Sequence, residues 1–440
     1  MRRAQRAGLA LALVAAVGAS VVAHSEPTDF DAVVTTDFEP AVTKAFPVYN
    51  TAGKKIRTQQ WRLTKTGGNC CEVLVSTTAT GRLLEFGGSY VRYSDDRAKT
   101  WKKVAPITPL YNGEGAVVPA PGGDVVGIGW DPYTGDHLQS FKYTAKTKKW
   151  QYAETPLHAP LYDRPWVVVA KGPFTIDGET VPWVSVVLSG YVAWNDLALI
   201  STDGLNYRPP TTRMLDSLRG ALPVSRWLEP QRDADLDYIQ PQTRAHLTPL
   251  AGGGLLGNNS GALDSGCSTG LLGRNGAWSC YTAPNGETYA DSRLLVDSRG
   301  WLHRVTPGAS NLVAGELEYS VSTNGGRSWS STTIAPLRGV IEQYDFKVHA
   351  KSGVAALVAH VKQNDPALER DVVFKLDIRR AKPRVSELLY VGDGDGVFTA
   401  GLAGGATRFD FVSVAILPDG KLVASFADKT YADPALAVQL

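Results

Sequence analysis

Ser322-Thr323-Asn324-Gly325-Gly326-Arg327-Ser328-Trp329 follows an alternating run, Leu317-Glu318-Tyr319-Ser320-Val321, and leads into a second β-favouring run through Ile334. Two strands joined by a glycine-containing turn are predicted here. The Ser322 and Asn324 side chains suit bonds to nearby backbone amides, and Gly325 or Gly326 suits positive φ. Trp329 supplies a large apolar plug below the hairpin. The same arrangement occurs at Ser94-Asp95-Asp96-Arg97-Ala98-Lys99-Thr100-Trp101. A worn version stands at Ser201-Thr202-Asp203-Gly204-Leu205-Asn206-Tyr207.

These stretches resemble the Asp-box, Ser-x-Asp-x-Gly-x-Thr-Trp, of sialidases and other β-propellers. The first copy departs by Ala98 for glycine, the last by Asn324 for Asp and Ser328 for Thr. The resemblance implies an all-β fold, a β-propeller of four-stranded blades. As a signal of activity the box is weak, because it is a structural hairpin that also occurs in propellers that catalyse nothing.

The rest of the chain keeps the same rhythm. Four short β-prone runs, Cys71–Ser76, Arg82–Gly88, Tyr90–Ser94 and Trp101–Val104, are followed by Gly115–Pro119, Asp124–Trp130, His137–Thr144 and Trp150–Glu154. A third set spans Trp166 to Tyr207, a fourth Tyr238 to Trp278, a fifth Ser292 to Ile334, a sixth Tyr344 to Val391 and a last Phe409 to Leu440. Ser201 follows Ser94 by 107 residues and Ser322 follows Ser201 by 121. Each interval is about two blades of ~40–60 residues, so an unmarked blade is expected within each. Seven blades are expected, and six if the fourth set is not a blade. The last set shows three strands, and the early run Asp31–Thr36 is the expected fourth that closes the ring.

Arg2, Arg3 and Arg6 precede seventeen uncharged residues, Ala7–Ala23, with Val21 and Ala23 placed as for signal-peptide cleavage. Residues 1–23 are therefore expected to be a secretory signal, 24–60 a polar lead-in, and 61–440 one propeller domain with an insertion near 210–236. Removing 1–23 takes away three arginines and no acid, so the formal charge falls from +2 to −1. A near-neutral chain offers no electrostatic case for nucleic acid. No later apolar run is long enough to span a bilayer, and no cysteine follows the leader to carry a lipid anchor. The expectation is a secreted, extracellular monomer.

The four cysteines fit an oxidising compartment. Cys267 and Cys280 flank a glycine-rich turn and are expected to pair. For the adjacent Cys70 and Cys71, a vicinal disulfide and two thiols both stay open. No CxxC and no clustered histidine spacing points to zinc, and no cofactor or metal is expected.

Polar residues recur just before the first strand of each set. They include Glu114, Asp163-Arg164-Pro165-Trp166, Gln240, Gln242, Arg244, Tyr289, Asp291, Arg293, Glu342, Gln343, Tyr344, Asp345, Arg408 and Asp410. In a propeller these positions ring the central depression, and bidentate guanidinium groups there suit an acidic sugar. The sialidase resemblance implies a carboxylate clamp from Arg164, Arg293 and Arg408, with Arg244 and Trp166 also in contact with substrate. It further implies Tyr344 as nucleophile, Glu342 as its helper and Asp163 or Asp291 as acid. A tyrosine replaces the usual carboxylate nucleophile in that family. The family's Phe/Tyr-Arg-Ile-Pro motif is missing: Gln60-Trp61-Arg62-Leu63-Thr64 is the nearest stretch and lacks the proline.

The function expected is recognition of extracellular carbohydrate or cell-wall polymer, with glycosidase chemistry on acidic glycans. If the site is instead a uronate lyase, His246 is placed to act as base. The alternative is a non-catalytic propeller that binds a protein or cell-wall partner through its rim loops.

Overall fold

The structure, a computed structural model, describes residues 28–30, 41–65, 74–86, 91–104, 115–130, 137–156, 165–176, 179–192, 195–208, 246–249, 255–258, 269–272, 278–281, 293–307, 316–324, 328–362, 370–391, 412–426 and 435–440. The fold is all-β: among these residues the only helical pieces are two short 3-10 turns, Pro121–Gly123 and Ala350–Ser352.

Three strands open the chain: β1 (Thr28–Phe30), β2 (Val42–Tyr49) and β3 (Lys55–Lys65). The first antiparallel meander then comprises β4 (Leu74–Thr77), β5 (Leu83–Phe86), β6 (Val91–Ser94) and β7 (Lys102–Val104). The second comprises β8 (Gly115–Pro119), β9 (Val125–Trp130), β10 (His137–Thr144) and β11 (Lys149–Pro156), with β1 as a fifth strand outside β11. The third holds β12 (Pro165–Ile176), β13 (Glu179–Val192) and β14 (Asn195–Ser201), extended by a bridge between Ile200 and Arg208. The fourth holds β15 (His246–Pro249), β16 (Leu255–Asn258), β17 (Thr269–Leu272) and β18 (Trp278–Tyr281). The fifth holds β19 (Arg293–Val296), β20 (Leu302–Pro307), β21 (Leu317–Ser322) and β22 (Ser330–Ile334).

The sixth meander, β23 (Val340–His349), β24 (Val354–Lys362), β25 (Arg370–Asp377) and β26 (Arg384–Val391), belongs to a nine-stranded sheet. The last meander, β27 (Ser413–Ile416), β28 (Leu422–Phe426) and β29 (Ala435–Gln439), is completed on its outer side by β3. β2 lies between β3 and β26 and joins the two halves of that sheet, meeting β26 only at Val48 opposite Leu389 and Tyr49 opposite Leu388.

This corrects the sequence reading of the chain's start. The expected closing strand, Asp31–Thr36, lies outside the described residues, and β3 fills the place reserved for it. The stretch from Val42 to Lys65 carries two full strands rather than a polar lead-in. Their apolar positions are sparse because one half of the hairpin is open to water: β2 is exposed from Val42 to Ala45 and buried at Phe46 and Val48. Outer strands with one wet face read as polar sequence.

The first strands of successive meanders lie side by side: β4 with β8, β8 with β12, β12 with β15, β15 with β19, β19 with β23, β23 with β27, and β27 with β4 again. Side chains stitch neighbours in this circle. Ser76 Oγ donates to Val117 O at 2.8 Å, Thr77 Oγ1 to Ile416 O at 3.0 Å, and the Val75 amide to Ser413 Oγ at 3.1 Å. Apolar slabs fill the spaces between consecutive meanders. Phe86, Val91, Phe141 and Trp150 pack between the first and second, and Tyr319, Ile334, Phe346 and Leu357 between the fifth and sixth. Trp101 packs with Leu83, Leu417, Val423 and Leu436 between the last and first. β5, β6 and β27 are buried throughout, and the charged residues among them, Glu85 and Arg92, pair with each other, Arg92 Nε donating to Glu85 Oε2 at 2.7 Å.

The octets form the predicted hairpins between third and fourth strands. In the first, Ser94 Oγ donates to Asp96 Oδ1 at 2.9 Å and accepts the Ala98 amide at 2.8 Å. Asp96 Oδ1 accepts the Thr100 amide at 2.9 Å. The worn copy repeats the pattern, with Gly204 N to Ser201 Oγ and Leu205 N to Asp203 Oδ1 both at 2.8 Å. In the last, Ser322 Oγ donates to Asn324 Oδ1 at 3.0 Å. Trp101 and Tyr207 are buried plugs, whereas Trp329 is only half-buried. Ala98, at the box glycine position, holds φ 60°, the left-handed region that glycine favours.

Candidate functional site

In an antiparallel meander the first-to-second and third-to-fourth connections share one end of the sheet. The second-to-third connection and the link to the next meander share the other. The octets occupy the first end, together with a recurrent five-residue turn. Thr78, Asp297 and Leu417 each donate their amide to the carbonyl four residues on, at 3.0, 3.0 and 2.8 Å. Gly81, Gly300 and Gly420 stand at positive φ in these turns.

At this end the fifth meander carries a buried polar cluster. Asp297 Oδ2 lies 2.9 Å from His303 Nε2, and His303 Nδ1 lies 2.7 Å from the Tyr319 hydroxyl. A carboxylate only accepts, so Nε2 holds the proton, Nδ1 accepts, and Tyr319 donates. Arg299 Nε donates to Asp297 Oδ2 at 2.8 Å and stacks on Trp301 at 3.7 Å. The Asp297 and His303 side chains are fully buried. Burial pushes the Asp297 carboxyl up, but the bonds from His303 and Arg299 outweigh it and hold the group well below the usual carboxylate range. Burial lowers the His303 imidazole below its ordinary value despite Asp297 beside it. Both ring nitrogens are used and no edge reaches water, so this cluster pins a turn.

Of the expected site residues, only some are described, all on first strands. Asp163, Arg164, Arg244, Asp291 and Arg408 lie outside the described residues. Trp166, Arg293 and Glu342 are described in backbone only, in β12, β19 and β23. Trp166 pairs with Leu188 and Arg293 with Val305. Glu342 sits at a register shift between Ile341 and Gln343, the kind of bulge that re-aims side chains at sheet ends. His246 is the first residue of β15 and pairs with Asn258. Cys70, Cys71, Cys267 and the 210–236 stretch are outside the described residues, and Cys280 lies in β18.

Tyr344 is buried among Ile341, Phe346, Leu357 and Ala359, on the side of β23 that faces the fifth meander. Its neighbour Asp345 faces the last meander, where Asp345 Oδ2 accepts the Val414 amide at 2.8 Å. Asp345 therefore serves as a tie between first strands. His360 and Asp371 stand directly opposite one another on β24 and β25, on the Asp345 side. His360 Nδ1 lies 3.1 Å from Asp371 Oδ1. Sequence reading passed over this pair because the two residues are eleven apart and only the strand register makes them neighbours. Arg304 was also missed: it is buried in β20, and burial brings its pKa down to about 10. Among the described residues no group of three or more His, Cys, Asp and Glu gathers as a metal site.

The sequence matches no protein-family model and no curated protein. Solved structures do resemble the fold. The NanB sialidase of Streptococcus pneumoniae is similar over 94% of this chain and 70% of its own, at 10% identity and TM-score 0.35. The α-L-arabinanase of Penicillium chrysogenum is similar over 92% of this chain and 98% of its own, at 11% identity and TM-score 0.38. A chain of a mitotic checkpoint complex is similar over 86% of this chain and 93% of its own, at 9% identity and TM-score 0.44.

Proposed function

We propose that the chain is an exported, monomeric Asp-box β-propeller of seven blades that recognises extracellular carbohydrate. The observation that carries this reading is the circle of first strands, each lying beside the next until β27 meets β4. Such a circle gathers the starts of seven strands at one end of one axis. The polar residues of the sequence stand before or at those starts, so Arg164, Arg244, Arg293 and Arg408 converge there in this reading, with Trp166 as an apolar platform. Convergent guanidinium groups favour an acidic glycan. Glycosidase chemistry of the sialidase type assigns Tyr344 as nucleophile, Glu342 as helper and Asp163 or Asp291 as acid.

One observation favours binding without that chemistry. A nucleophile must reach its substrate, and Tyr344 is only 8% exposed, packed into the slab between two meanders. A glycan array probed with the purified mature chain tests recognition, and hydrolysis of a fluorogenic sialoside tests catalysis. Loss of array binding in Arg293→Ala and Arg408→Ala supports the clamp. Wild-type turnover no greater than that of Tyr344→Phe removes the sialidase reaction and leaves the binding function.

A further inference from the structure

We propose that the turn end of the sixth, last, first and second meanders binds an extracellular phosphodiester polymer along a rim of unpaired lysines. This surface is separate from the strand starts assigned to carbohydrate, and the proposal does not depend on that assignment. The extracellular source follows the export proposed above.

Contacts between turns make the rim continuous. The Ile378 amide, in the turn between β25 and β26, donates to the Gly353 carbonyl, in the turn between β23 and β24, at 3.0 Å. The turn between β27 and β28 abuts the latter at Gly420, where an added Cβ would stand 3.0 Å from Ser352 Cβ. Asp419 of that turn accepts Arg97 Nη2 of the first octet at 2.7 Å. The Arg82 guanidinium then lies over Tyr93 of the first meander at 4.6 Å and over Tyr143 of the second at 4.9 Å.

The rim is closed in its hydrogen bonds but not in its charge. Its carboxylates are engaged: Asp95 by Arg82, Asp377 by Arg379 and Asp419 by Arg97, and Asp96 and Asp124 by the backbone amides of Thr100 and Ala145. Lys99, Lys146, Lys148, Lys351, Arg380 and Lys382 are exposed, and among the described residues none of them has a carboxylate partner. The whole chain carries a formal charge of only +2. The rim is therefore a local excess of positive charge, which steers an anion to this end.

The kind of cation points to the partner. Five of the six are lysines, compact point charges without the planar fork that grips a carboxylate. The oxygens of a tetrahedral phosphodiester suit a point charge. A chain with one charge per repeat can follow the rim, engage several turns at once and release its counterions. Nucleic acid shares the linkage but also needs ring faces for its bases. The large rings of these turns, Tyr93, Trp101, Tyr143 and Trp150, are buried. A polyol phosphate has no bases to stack.

The test uses the purified mature chain and synthetic poly(glycerol phosphate), with affinity read by fluorescence anisotropy at about 50 and about 200 mM salt. Affinity should fall steeply between the two. Lys146→Glu, Lys351→Glu and Lys382→Glu should each weaken binding about fivefold and reduce the salt slope by about one. Lys44→Glu, at an exposed position of β2 outside the rim, should change affinity less than about twofold. All four lysines are exposed, so unchanged unfolding midpoints separate lost binding from lost folding. No binding at the lower salt, or a loss in Lys44→Glu as large as in Lys382→Glu, overturns the rim. Polygalacturonate and a single-stranded oligodeoxynucleotide of equal charge are the competitors. Binding of either as tight as that of poly(glycerol phosphate) overturns the proposed partner in favour of an acidic polysaccharide or a nucleic acid. A blank glycan array would remove the carbohydrate reading and leave this measurement standing.

Discussion

His303 and His360 are both held by an aspartate, and they sit at opposite ends of neighbouring meanders. His303 is protonated on Nε2 by the demand of Asp297, takes the Tyr319 hydroxyl on Nδ1, and is closed to water. His360 is held at Nδ1 by Asp371 and keeps a ring edge in solvent. The same pair of residue types thus stands in two settings, sealed at the turn end and partly open to water at the other. What separates the two settings is burial: the His303 side chain is closed to water and that of His360 is 18% exposed. The octets and five-residue turns make the first end self-sufficient, since their polar groups bond within the hairpin.

The largest effect should come from Asp297→Ala. It strands a buried histidine and removes the partner of Arg299, so unfolding in denaturant should show a loss of about 3–5 kcal/mol. Asp371→Ala should cost clearly less; an equal cost would erase the distinction between the two ends. Acid should act on the same cluster. His303 has a folded value below the ordinary 6.5, so its contribution is complete above that pH and is lost as pH falls through the depressed value. Asp297 is depressed as well, and its contribution goes only below the ordinary 3.8. Both slopes have the same sign, and His303→Gln should remove the upper part of the acid limb.

Tyr319→Phe removes the donor to His303 Nδ1 and should cost about 1–3 kcal/mol by the same unfolding measurement. Ala98→Gly should move the other way. It relieves the left-handed φ of the first octet, and a gain of about 1 kcal/mol is expected, offset in part by loss of a buried methyl contact. A destabilised Ala98→Gly would mean that packing against Trp101 outweighs backbone strain. The smallest shift should be in His360→Gln, within about 0.5 kcal/mol, as for a partly exposed residue outside the core.

Much of the architecture was legible because each meander is built from local pairings. Gly115–Pro119, His137–Thr144 and Leu317–Ser322 were readable to the residue, being short apolar runs closed by turn signals. β3 was not, because Lys55-Ile56-Arg57-Thr58-Gln59-Gln60 shows polar groups to water and its second partner, β29, is more than 350 residues away. Its one strong signal was Trp61, which is wholly buried. At the candidate site, the sequence put Glu342 to Asp345 before a first strand, whereas they lie within β23, which begins at Val340. It did not show that Asp345 ties β23 to β27, or that Asp371 meets His360. Those facts depend on register and on which side of a sheet a residue faces, and a slip of one position reverses both.

The last sheet has a consequence for how the molecule is made. Its outer strand comes from residues 55–65 and its other three from residues 413–439, and the Leu440 amide closes onto the Gln60 carbonyl at 3.0 Å. A chain emerging from the ribosome carries β3 long before its partner β29 exists, with an unmated edge that invites wrong pairing. Completion must wait for residues 435–440, so a chain ended before Ala435 should leave the last clasp undone and be trapped in an open, association-prone form.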